Sequence, residues 1–61
     1  MKTLEDLNLE VARTIFAKEL SDFNTAYLDK CTDGTFVVSV DEFVHKRGTM
    51  LECSDYYKKL K

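Results

Sequence analysis

Cys31, His45 and Cys53 carry the nucleophilic and soft-metal chemistry open to this chain. A thiol beside an imidazole makes a nucleophile, and thiolates with an imidazole hold zinc. Zinc signatures place two ligands within about one turn of each other, and no two of these three residues are that close. Each cysteine instead falls on an apolar stripe, where a free thiol behaves as a small core residue. A chain this short also has little room for a substrate cleft. Both cysteines are therefore expected in the core, with no catalytic residue, metal or cofactor.

Carboxylates give a second candidate. The stretch Asp29-Lys30-Cys31-Thr32-Asp33-Gly34-Thr35-Phe36, followed by Ser39-Val40-Asp41-Glu42-Phe43, places one acid at its start and a second before a glycine. An apolar residue follows, and then a glutamate at the start of the next element. This pattern resembles a calcium loop of the EF-hand family. The resemblance covers the central third of the chain. It implies Asp29, Asp33 and Glu42 as metal ligands, a carbonyl from Thr35, and flanking helices over 22–28 and 42–47. The sequence departs from the family where Cys31 replaces an oxygen ligand, and two extra residues separate Phe36 from Glu42. No second hand accompanies it. Asp, Thr and Gly also crowd ordinary turns, so the expectation is that calcium does not bind.

Two charged groups remain. His45, Lys46, Arg47, Lys58 and Lys59, with Lys61, form one basic patch if the last two elements pack together, and Tyr56 and Tyr57 lie near enough in sequence to stack on bases. A helix-turn-helix centred on Gly48 would use this patch, but Arg47 and Ser54 fall where its core needs apolar residues. The simpler reading is that these cations complement helix C-termini. Glu5, Asp6, Glu10, Glu19 and Asp22 give the first half an acidic face suited to a basic protein surface. The net charge of −2 disfavours nucleic acid over the whole surface.

These residues need elements to position them. Sixty-one residues, 44% of them apolar and 33% charged, suit one small globular domain over 1–61. A core of this size supplies only about 3–5 kcal/mol. No proline and only two glycines leave few turns written into the chain, which favours helix. Thr3 can cap a helix through the amide of Asp6, and Leu4, Leu7, Val11 and Ile15 recur at helical spacing. Phe16, Leu20, Phe23, Tyr27 and Cys31 continue the stripe one position out of step. A bend near Ser21 and a short second helix, about 22–30, account for the offset.

Thr35–Val40 reads as a strand with Phe36, Val38 and Val40 on its core face and Val37 and Ser39 on the other. A short helix over about 42–47 follows, closed by Gly48. Thr49 and Glu52 form a capping-box pattern before a last helix from Met50 to about Leu60. A rival reading turns 26–32 into a strand and Asp33-Gly34 into a hairpin turn. It places Asp29 opposite Val38 on the apolar face, which disfavours it.

The expected fold is α+β and mostly helical: a long N-terminal helix, a short central strand or β-hairpin, and two short C-terminal helices. A lone strand needs a partner, so a homodimer pairing Thr35–Val40, or packing the N-terminal stripe, is expected. Acids near the start leave no apolar signal sequence, and no stretch reaches the roughly 20 apolar residues of a membrane span. The expected setting is cytoplasmic, without membrane contact. The expected function is a small non-catalytic protein that binds and modulates, or inhibits, another protein. A short chain starting at its own methionine is typical of accessory regulators and phage-encoded inhibitors. The alternatives are a small dimeric DNA-binding regulator and a degenerate calcium module.

Overall fold

Among the described residues the chain forms four antiparallel strands and one helix: β1 (Val11–Glu19), β2 (Thr25–Cys31), β3 (Phe36–Val40), β4 (Phe43–Gly48) and α1 (Met50–Lys59). The computed structural model describes residues 1–21 and 23–61. The strands lie in the order of the chain, β1-β2-β3-β4, so every connection is a hairpin. This replaces the expected mostly helical domain, and the long N-terminal helix is absent.

The β2–β3 hairpin is the centre of the sheet. Leu28 pairs with Val38, Tyr27 with Ser39 and Asp29 with Val37. The turn at Asp33-Gly34 that joins them puts Gly34 at φ +90, where a side chain would be strained. Asp33 holds the turn by accepting from both the amide and the hydroxyl of Thr35, at 2.9 and 2.6 Å. The rival hairpin is the one formed, and of the helix expected over 22–30 the residues 25–30 are strand β2, with Asp22 outside the described residues. The register differs by one residue from the one that disfavoured it, so Asp29 faces Val37 rather than Val38.

The β3–β4 connection is a tight turn at Asp41-Glu42. Asp41 adopts φ +58, which acids tolerate better than most residues, and it closes the turn against Thr25. Its amide donates to Thr25 O at 2.7 Å, and its Oδ1 accepts from the Thr25 amide at 3.1 Å. The short helix expected over 42–47 is therefore β4, which carries a bulge between its Val44 and Lys46 pairs.

Both faces of the sheet are covered. On one, Leu28 and Val38 form the core with Cys53 of α1, and Ile15, Phe36, Met50, Tyr56, Tyr57 and Leu60 pack around them. Helix α1 starts with the expected capping box: Thr49 Oγ1 accepts from the Glu52 amide at 3.2 Å, and Glu52 Oε1 accepts from the Thr49 amide at 3.2 Å. On the other face, Val37, Ser39 and Asp29 are also nearly closed to solvent. The N-terminal segment supplies this cover. Its Lys2 carbonyl accepts from the Val44 amide and its Glu10 carbonyl from the Thr32 amide, and Thr3 bridges to Phe43. Those anchors lie at opposite edges of the sheet, so residues 2–10 cross the face that α1 leaves open. The expected Thr3–Asp6 cap is present, at 3.1 Å. It caps a single turn, which ends at Asn8 with φ +56.

Candidate functional site

β1 is an edge strand, paired only on its β2 side. Its pairing slips twice, between Val11 and Arg13 and between Thr14 and Phe16. After the second slip the register is unbroken, with Phe16, Ala17, Lys18 and Glu19 opposite Leu28, Tyr27, Ala26 and Thr25. The Leu20 amide donates to Asn24 O at 2.7 Å. Antiparallel alternation from that bond turns the backbone groups of Lys18 and Phe16 toward β2 and those of Ala17 and Glu19 outward. The regular part of this open edge is therefore Phe16–Glu19.

Side chains from α1 build a platform beside the edge. Phe16 stacks on Tyr57 with ring centroids 6.0 Å apart and planes 25° apart, and is still 53% exposed. Lys18 crosses the Tyr57 ring at 4.5 Å and donates to Tyr57 O at 3.0 Å and Leu60 O at 2.9 Å. A cation is favoured at a helix C-terminus, where carbonyls lack intrahelical donors. Lys18 thereby fastens β1 to α1 and holds Tyr57 under Phe16. Burial pushes the Tyr57 hydroxyl above its usual range, so the platform stays neutral and amphipathic.

A second recess, about 200 Å³, is lined by Lys46, Glu52, Asp55, Tyr56 and Lys59. Its charges are matched within it: Lys46 lies 4.0 Å from Glu52 and Lys59 lies 3.2 Å from Asp55. His45 Nδ1 approaches the Tyr56 hydroxyl at 3.4 Å. Such a recess has no surplus cation for a phosphate.

The residues singled out in the sequence scatter. Cys31 and Cys53 are buried free thiols. Burial pushes both up, helped by the carboxylates of Asp33 and Asp29 at Cys31 and of Glu52 at Cys53. Cys53 donates to Phe36 O at 3.3 Å, so it serves the core. Asp29 is buried on β2, Asp33 sits in a turn and Glu42 is exposed in the next turn. The helices that a calcium loop requires are strands. Among the described residues, no three His, Cys, Asp or Glu side chains converge as metal ligands would.

The basic group divides as well. Lys46 pairs with Val38 and Arg47 with Val37, on opposite faces of the sheet. Arg47 bonds Asp33 at 3.1 Å, and Lys58 and Lys59 close α1. With β4 in place of a helix before Gly48, the helix-turn-helix is absent. Glu5 and Asp6 are exposed in the N-terminal turn, while Glu10 and Glu19 flank β1 at its two ends. Glu19 is the last of the nine strand residues that follow Glu10, a separation of about 30 Å, so the acids do not form the single face expected of them. Asp22 lies outside the described residues.

Sequence reasoning missed the β1 edge and the Lys18–Tyr57 clamp. The available signal was the β-branched trio Val11, Thr14 and Ile15, which suits strand better than helix. Comparisons of the chain with protein-family models, with curated proteins and with solved structures find no match.

Proposed function

We propose that this chain is a small non-catalytic binding protein, cytoplasmic in setting, that engages another protein by strand addition along Phe16–Glu19. The observation that carries this reading is the regular open edge of β1 beside the half-exposed Phe16 ring. Strand addition takes its affinity from main-chain hydrogen bonds and its specificity from side-chain contacts beside the edge. The partner's extended segment places apolar side chains on the Phe16–Tyr57 platform. Glu19 closes the edge and favours a basic residue at that end of the segment. The non-catalytic reading draws support from the polar side chains already committed to structure: Asp6, Asp33, Asp41, Glu52 and Lys18 each hold a turn, a cap or a helix end.

Ala17→Pro tests the edge. It removes one outward amide and leaves the β1–β2 ladder intact, because proline is tolerated at an edge position whose N–H faces solvent. A photo-crosslinking phenylalanine analogue at position 16 should capture one protein in the cell of origin, while the same analogue at the exposed Leu51 should not. Adding Ala17→Pro should abolish capture without lowering the melting temperature by more than a few degrees. Equal capture from both positions, or capture indifferent to the proline, would rule out docking on this edge.

A further inference from the structure

Residues 2–10 cross the middle of one sheet face, where Asp29, Val37 and Ser39 are buried, yet are fastened to the sheet at two places. The Val44 amide donates to Lys2 O at 2.8 Å beside the Thr3–Phe43 bridge, and the Thr32 amide donates to Glu10 O at 2.9 Å. Between these anchors the backbone hydrogen bonds are internal to the segment. Leu7 donates to Thr3 O, Asn8 to Glu5 O and Leu9 to Leu4 O, while Thr3 and Asp6 bond each other reciprocally. The segment therefore carries a turn of its own, independent of the sheet.

The face beneath it is a poor hydrophobic seat. Ser39 and Asp29 are 3% and 4% exposed, and Asp29 Oδ1 is buried with no hydrogen-bond partner among the described residues. Closing the segment over that oxygen gives it no protein hydrogen bond in exchange for bulk water, a cost that opening relieves.

We propose that residues 2–10 form a strap that opens as one unit while the four strands and α1 stay folded, uncovering the sheet face of Tyr27, Asp29, Val37 and Ser39. The two anchor amides on the sheet report the opening, since their acceptors leave together. Leu4, Leu7 and Leu9, all partly covered, hold the strap down against the pull of Asp29.

Hydrogen exchange of the intact chain, followed by NMR at rising sub-denaturing urea, tests this. The Thr32 and Val44 amides should exchange through one shared opening with little urea dependence. That opening should be at least about tenfold more populated than the one exposing the central Val37 and Ser39 amides. Asp29→Val removes the stranded oxygen and should slow both anchor amides about tenfold. A single opening constant and urea slope for all four amides in the parent protein would overturn the strap, because the segment would then leave only on global unfolding. Unequal openings at Thr32 and Val44 would overturn the claim that it moves as a unit. An Asp29→Val chain that folds with both anchor amides unchanged would overturn the role given to Asp29.

Discussion

At Gly48 a side chain has no room. A Cβ there would sit 2.8 Å from Glu52 Oε1, the oxygen that completes the cap of α1. Gly48→Ala should push Glu52 out of the capping box and lower stability by about 1 kcal/mol, the usual worth of such a cap. Urea unfolding of the Ala protein beside Glu52→Ala checks it: the double variant should lose little more than Gly48→Ala alone, since both remove the same bond and only the alanine adds backbone strain at φ +159.

Two other carboxylates give a pH dependence with a definite sign. The Thr35 hydroxyl and amide hold Asp33 below its ordinary value, with Arg47 assisting, and the Thr49 amide and hydroxyl do the same for Glu52. A depressed folded value means stability that is fully present above the unfolded values and is lost as pH falls through the folded ones. Stability should therefore be flat from neutrality down to about pH 5 for these two groups and decline below about pH 4. Thr35→Val should return Asp33 toward its ordinary value in a carbon-detected NMR titration while leaving Glu52 where it was. An Asp33 titration unmoved by the substitution would refute the Thr35 assignment.

Among the elements, β1 most depends on a single side chain. It meets β2 through a ladder interrupted at two places, and Lys18 adds two bonds to the end of α1 that no other described residue of the strand supplies. Lys18→Met keeps the aliphatic stem over Tyr57 but removes the charge from the two carbonyls. It should cost about 1–2 kcal/mol, in the range for charged hydrogen bonds and helix-end cations. Amide exchange should localise the loss to β1 and the last turn of α1. A uniform loss across β2 and β3 would show that Lys18 acts on the core as a whole.

For the molecule as a whole, the sheet removes one argument for a second copy. The strand at Thr35–Val40, expected to seek a partner in another chain, becomes β3 with β2 and β4 on its two sides. It therefore has no free edge for a second copy to pair with. The remaining edge is blunted before Phe16 by the two slips in β1, a common protection against edge-to-edge pairing, and only Phe16–Glu19 stays regular. Sedimentation should give a mass near 7.1 kDa across a dilution series, with melting independent of concentration. A dimer mass that vanishes with Ala17→Pro would instead make a second copy the occupant of the β1 edge.

Local chemistry alone determined several parts of this protein. Thr49 and Glu52 cap α1, Thr3 caps a turn with Asp6, and alternation along Thr35–Val40 puts Val38 at the centre of the core, because each depends on residues a few positions apart. The strand identities of 11–19, 25–31 and 43–48 depended on partners far along the chain. In β1 the cause is specific: each slip inserts a residue, so a period of two reads as a spacing of three. Phe16 and Lys18 share the α1 face by pairing with Leu28 and Ala26, while Thr14 and Ala17 share the other by pairing with Asp29 and Tyr27. Leu4, Leu7, Val11 and Ile15 mimic a helical stripe although Leu4 and Leu7 lie in the N-terminal turn and Val11 and Ile15 in β1, with Asn8 turning the backbone between the two pairs. Asp29 seemed to forbid the central hairpin, since a carboxylate on a buried strand is unfavourable. Only the tertiary structure decided that the pairing of β2 with β3, and the burial of Leu28 and Val38 under α1, outweigh that one unpartnered oxygen.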